Sequence, residues 1–213
     1  MKTEPSLKQY YVAVGTADAK LATLLDLLQA LHANKKLALA VCCSSRDSLD
    51  NVIAGLAAVR RFRVFPVFSD MSEAERNTVL ESFQATRAAE TEPNNSAPDD
   101  PELDEQTGHD ARQTRDNSLA CVLVATDVVL KAMKLSLGLE LIVHYDLPPK
   151  KDVYISRVST LFGSGRERRG GLHVSINFIV AGQLEQFRNL EGFSSHPIEV
   201  MPIHISDVFG DPS

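Results

Sequence analysis

Two short apolar runs, Ala120–Val124 and Leu139–Val143, constrain this chain more than any other feature. Both are rich in Val, Leu and Ile, and neither keeps a polar alternation. Runs this brief are too short for globular helices. They suit strands buried on both faces, as in a parallel sheet with helices on either side. Between them lie a polar turn, Thr126–Asp127, and one short helical stretch, Val128–Lys134. Parallel strands need a crossover connection, so Thr126 and Asp127 fall at a strand's carboxyl end, where open α/β sheets bind ligands.

The rest of the chain repeats the alternation. Gln9–Val14, Leu37–Cys43, Arg63–Phe68 and Leu172–Ile179 read as further strands. Leu21, Leu24, Leu25, Leu28 and Leu31 share one helical face, with Thr16 or Asp18 available as its cap; Leu49, Val52, Ile53, Leu56 and Val59 share another. Ser72–Gln84 opens on a capping box, Ser72 with Glu75 three residues on. Asp152–Ser159 and Gln183–Leu190 complete the helices. The expected fold is α/β, a doubly wound parallel sheet with helices on both faces, formed by residues 1–213 as a single domain.

One stretch departs from this pattern. Ala85–Ser118 holds Pro93, Pro98 and Pro101, nine Asp or Glu, three Arg and almost no large apolar side chain. Such a segment buries too little surface to offset its ordering entropy and reads as a solvated, disordered acidic insertion. It accounts for the whole formal charge of −6, and the remainder is balanced at 19 basic and 19 acidic residues. Nucleic-acid binding by a general basic field is therefore excluded, although a local patch is not. No apolar run reaches the length of a membrane span, and the expected setting is intracellular, cytoplasmic or nuclear. Cys42, Cys43 and Cys121 read as reduced core residues, the first two pointing to opposite faces of their strand. The six histidines are scattered singly, so no metal site is expected.

The stretches VLVATDV, LIVHYDLPP and DVYISRV together resemble the C-terminal RecA-like domain of the DEAD-box RNA helicases, nearest to the translation initiation factor 4A branch. The resemblance runs from Tyr10 to about Val208, broken by the acidic stretch. It implies a motor half that supplies arginines to nucleotide hydrolysis while its partner half supplies the phosphate loop and the Mg²⁺ carboxylates. This chain has neither a GxxxxGK[ST] loop nor a DEAD-type acidic box, so no ATPase activity of its own is expected and no residue is assigned as catalytic. ATP and Mg²⁺ enter as cofactors only if a partner N-terminal RecA-like domain exists.

The family's reactive motifs are altered here. Motif V of the family reads TD, several residues, then ARG-x-D. Thr126 and Asp127 match its start, but Lys131 stands for the arginine, Ala132 for the glycine and Lys134 for the aspartate that helps hold nucleotide. Motif VI, HRIGR-x-GR, is matched in position by Ser156–Gly163. Arg157 alone survives, Ser156 replaces the histidine, and Thr160 and Gly163 stand for the two catalytic arginines. Lys131, Lys134 and Arg157 are thus the expected, degenerate nucleotide-facing residues. Arg166, Arg168 and Arg169 follow in a Gly-rich loop, either a solvated face or a substitute for the lost arginines.

By the same resemblance Ser44, Arg46, Asp70, Arg76 and Thr126 are the RNA-binding candidates, with Glu73 beside them. Hydroxyls and guanidiniums at strand and helix ends suit phosphate contact without sequence readout. Local roles are the alternative: Ser44 capping its helix, and Arg76 pairing with Glu73 or Asp70. Three functions stay open. The preferred one is a degenerate helicase-type domain that binds single-stranded RNA weakly, or protein, in RNA metabolism or translation. The others are the C-terminal half of a divergent active helicase, and a scaffold that binds protein alone. The resemblance implies partners of the HEAT-repeat scaffold or short-motif type.

Overall fold

A computed structural model describes residues 6–34, 38–91, 119–133, 135–163 and 171–210. In chain order its elements are β1 (Ser6–Val14), α1 (Ala17–Asn34), β2 (Ala38–Cys43), α2 (Arg46–Val59), β3 (Phe62–Val67), α3 (Glu73–Thr91) and β4 (Ala120–Thr126). There follow α4 (Asp127–Ala132), β5 (Leu141–His144), α5 (Lys151–Phe162), β6 (Leu172–Val180), α6 (Leu184–Phe193), β7 (Ile198–Val200) and α7 (Ser206–Phe209). The strands form one parallel sheet in the order β3-β4-β2-β5-β6-β1-β7. This is the doubly wound parallel sheet expected from the alternation, and it agrees with the RecA-like fold that the resemblance implied.

The two apolar runs become central strands because every residue of β4 and β5 is buried. Side chains on one face of the sheet pack with Leu24, Leu28, Leu49, Val52 and Val208, from α1, α2 and α7. On the other face they pack with Leu80, Phe83, Val129, Leu161 and Leu190, from α3, α4, α5 and α6. Cys43 belongs to the first core, and Cys42 and Cys121 to the second, as strand alternation requires.

Several local expectations shift. Leu139 lies outside β5 because its N–H bonds the Leu161 carbonyl at 2.8 Å, as the Leu137 N–H bonds that of Thr160 at 2.9 Å. Those bonds satisfy carbonyls that the end of α5 would otherwise leave open. The cap of α2 is Ser45, whose hydroxyl accepts from the Ser48 N–H at 3.1 Å, and not Ser44. Thr16 accepts from the Ala19 N–H at 3.2 Å and so caps α1 in preference to Asp18. The Ser72/Glu75 capping box closes in both directions. Helix α3 runs seven residues past Gln84, so Ala85–Thr91 is helical, and Arg87 within it donates to the carbonyls of Leu137 and Gly138. Residues 92–118, the remainder of the expected insertion, lie outside the described residues.

Candidate functional site

The turns after β1 and β2 lead to the α1/α2 face, whereas those after β3, β4, β5 and β6 lead to the opposite face. The winding therefore reverses on both sides of β2, against β4 and against β5. Reversals of this kind open a crevice at the carboxyl ends of the strands. Here Arg157 fills it.

Arg157 comes from the middle of α5 and its side chain is 0% exposed. Its Nε and Nη2 donate to the two carboxylate oxygens of Asp127 at 2.6 and 2.9 Å. Nη1 donates to the Asp146 carbonyl at 2.6 Å and to His144 Nδ1 at 3.0 Å; Nη2 also donates to Ser44 Oγ at 3.0 Å. A guanidinium has five N–H donors and all five are engaged. One side chain thus ties together the ends of β2, β4 and β5. It also fixes the His144 tautomer, since a nitrogen that accepts from arginine carries no proton and leaves the hydrogen on Nε2.

A second cation completes the layer. Lys20, from the first turns of α1, places Nζ 2.6 Å from Asp146 Oδ1 and 4.0 Å from the centroid of the Tyr145 ring. The Ser44 N–H donates to the other Asp146 oxygen at 3.0 Å. Two cations, Arg157 and Lys20, therefore face two carboxylates, Asp127 and Asp146. Burial pushes the Asp146 carboxyl up, but the bonds from Lys20 and the Ser44 N–H outweigh it and hold the group below its usual value. Burial, with the Arg157 charge adding, holds His144 well below the ordinary histidine range. Burial raises the Cys42 thiol to about 12.

Outside this layer sit the residues expected at a nucleic-acid interface. Ser44 is exposed, its oxygen already accepting from Arg157. Thr126 is in register with Cys43 on the neighbouring strand; it precedes α4 but makes no side-chain cap, and its buried Oγ has no partner. Arg46 lies on the Phe68 ring, 3.6 Å from its centroid, and is held by Asp50 at 2.8 and 2.9 Å and by Asp70 at 3.2 Å. Arg46 and Asp70 are therefore brought together as an ion pair. Arg76 is not part of that group: it lines a groove of about 400 Å³ between α3 and α4, with Leu80, Val129 and Met133. It makes no ion pair with Glu73 or Asp70 among the described residues.

The nucleotide-facing expectations fare differently. Arg157 is turned inward, and its donors are spent on the fold. Lys131 is exposed and paired with Asp152 at 3.0 Å. Lys134 and the Arg166–Arg169 loop lie outside the described residues. Thr160, in place of one family arginine, is buried and donates to the Leu130 carbonyl at 3.1 Å. Gly163, in place of the other, ends α5 with φ 97°, a conformation side-chain-bearing residues rarely adopt. Sequence reading missed Lys20 and the double role of Asp127 and Asp146 as anchors. Nothing in the local pattern marks them, because their partners are up to 126 residues away.

Comparison with known proteins agrees with this architecture. No protein-family model matches the chain. An ATP-dependent RNA helicase eIF4A of Phaeosphaeria nodorum is 28% identical over 206 residues, which is 97% of this chain and 41% of that protein. The chain thus spans about two fifths of the curated relatives it matches. The C-terminal domain of the DEAD-box protein Dbp5 superposes with a TM-score of 0.66 at 16% identity, covering 93% of this chain and 91% of that domain. Dbp5 of S. cerevisiae bound to RNA and ADP BeF3 gives 0.63 at 16% identity, over 95% of this chain and 43% of that one.

Proposed function

We propose that this chain, a RecA-like domain of the DEAD-box C-terminal type, is a binding module that contacts the sugar–phosphate backbone of single-stranded RNA without hydrolysing ATP itself. The observation that carries the reading is the state of Arg157. The one motif VI arginine that remains has no donor left for a phosphate. The positions of the other two hold a buried threonine inside α5 and a glycine at positive φ, so arginine would need repacking at the first and a different backbone at the second. Arginines of this kind contribute roughly 10³–10⁵ to the rate of phosphoryl transfer.

Support for RNA contact comes from the outer layer. Ser44 and Thr126 place two hydroxyls at adjacent strand ends, and neither hydrogen is committed to a protein acceptor among the described residues. Arg46 stands beside them, but Asp50 and Asp70 already hold it, so phosphate must compete with carboxylate. Weak affinity and a shallow salt slope follow from so few contacts. Such a module suits a role in RNA metabolism or translation, in cytoplasm or nucleus.

A protein-binding role is the second reading. It is favoured by a groove of about 480 Å³ at the ends of β1 and β6, lined by Tyr11, Ile179, Leu184 and Phe187. One experiment separates the readings: titrate single-stranded RNA at two salt concentrations against wild type and Arg46→Ala, and assay RNA-stimulated phosphate release in parallel. Low-salt binding that weakens on Arg46→Ala, without phosphate release, is expected. Equal binding by the variant, or none by wild type, would favour the protein reading. Phosphate release above a buffer control would overturn the non-hydrolysing assignment.

A further inference from the structure

We infer that Arg157 is a positioning residue for RNA contact, acting through Ser44, whose hydroxyl it turns into an outward-facing donor. The inference rests on the RNA reading above and identifies what prepares that surface.

A serine hydroxyl has one hydrogen and two lone pairs, and free in water it can present either to a ligand. Ser44 is not free to choose. Arg157 Nη2 donates to its oxygen at 3.0 Å, so the inward side of the hydroxyl is an acceptor. Asp146 Oδ2 accepts the Ser44 backbone N–H at 3.0 Å, and the Ser44 hydroxyl hydrogen has no acceptor among the described residues. The hydroxyl hydrogen is left toward solvent, and donation from a cation into the oxygen polarises that O–H further. A non-bridging phosphate oxygen accepts and never donates, so this orientation favours phosphate over a donor ligand.

Thr126 supplies an independent pointer to a ligand at the same place. Its side chain is buried, its oxygen has no partner, and its in-register neighbour on β2 is Cys43, the residue before Ser44. An uncommitted buried hydroxyl is costly in a folded protein and rare without a purpose. The two hydroxyls stand at the ends of adjacent strands. Arg157 itself touches no ligand, because all five donors are engaged within the fold. Its effect on binding must pass through Ser44.

That dependence is testable by a double-mutant cycle on the full chain. Single-stranded oligouridylate is titrated at low salt against wild type, Ser44→Ala, Arg157→Lys and the double variant. Lysine keeps the charge balance with Asp127 and Asp146 but cannot span three strand ends. Asp127→Asn is run alongside, because it loosens the same guanidinium without emptying its place. Near-ultraviolet circular dichroism verifies the fold of each variant. Ser44→Ala and Arg157→Lys are each expected to weaken binding about tenfold, and the double variant no further than either. Losses that multiply toward about a hundredfold would mean that Arg157 supports binding only by holding the fold together, and the inference fails while the RNA reading stands. Absence of low-salt binding by wild type would remove the RNA reading itself, and this inference with it.

Discussion

Arg157 grips both oxygens of Asp127, Nε at 2.6 Å and Nη2 at 2.9 Å, from a position where its own side chain is 0% exposed. The pair joins the helix that follows β5 to the turn that follows β4, across the crevice where sheets of this class receive ligands. A bidentate arginine–carboxylate contact is geometrically strict, so it fixes α5 against the end of β4 more firmly than apolar packing alone would.

Removing one member of such a buried pair leaves a charge without compensation. Arg157→Ala is therefore expected to lose on the order of 3–5 kcal/mol of unfolding free energy. Replacing both residues, as Arg157→Met with Asp127→Leu, should lose far less than the two single variants combined. Urea denaturation of the four proteins gives the answer, and additive losses would show that the two residues are not coupled.

The sheet was legible because burial on both faces leaves a plain imprint: apolar runs without alternation, spaced by amphipathic helices. Even the opposed directions of Cys42 and Cys43 followed from strand geometry. β7 and α7 escaped notice because three and four residues carry no period long enough to detect. The helical state of Ala85–Thr91 was missed for a different reason. Its polar composition reads as solvated, yet Arg87 is held by two carbonyls some 50 residues away. The site divides in the same way. Ser44, Arg46, Asp70 and Thr126 could be placed at strand ends from the sequence. That Arg157 faces inward could not, since its four partner residues are contributed by three separate strand ends.

Acid should destabilise the fold in two stages. His144 is neutral in the folded state because burial and Arg157 lower its pKa, while in the unfolded chain it takes up a proton near pH 6.5. The unfolded state then binds more protons, so stability falls as pH drops below about 6.5. Asp146, also depressed, contributes stability that is present above the unfolded carboxylate value of about 4 and is lost as pH falls through its lower folded value. Urea midpoints measured from pH 8 to pH 3 should show both declines. His144→Asn should remove the first, and an unchanged profile in that variant would assign the decline to another group.

The cysteines should be silent in the native protein. Cys42 and Cys43 are 0% exposed, and burial raises both thiols, that of Cys42 to about 12. The thiolate is the reactive form, so burial and protonation act together against modification. Iodoacetamide at pH 8 is expected to leave both unmodified for as long as the fold persists, and to label them once urea unfolds the chain. Rapid native labelling of either residue would mean that β2 opens locally.

Thr126 sets stability against binding in a single residue. Its hydroxyl is buried beside the Arg157 layer, has no partner, and does not cap α4. Valine has nearly the same shape and carries no polar atom to desolvate. Since leaving a buried polar group unsatisfied costs about 1–3 kcal/mol, Thr126→Val should be neutral or more stable by about 1 kcal/mol. The same change removes the hydroxyl at the end of β4, so, if RNA recruits that group on binding, low-salt affinity for single-stranded RNA should fall. A residue kept for packing alone would show no such opposition, because valine would fill the space equally well. Thermal melts and RNA titrations of this one variant therefore decide the matter. Greater stability with weaker binding assigns the hydroxyl to the ligand, whereas lower stability with unchanged binding assigns it to the fold.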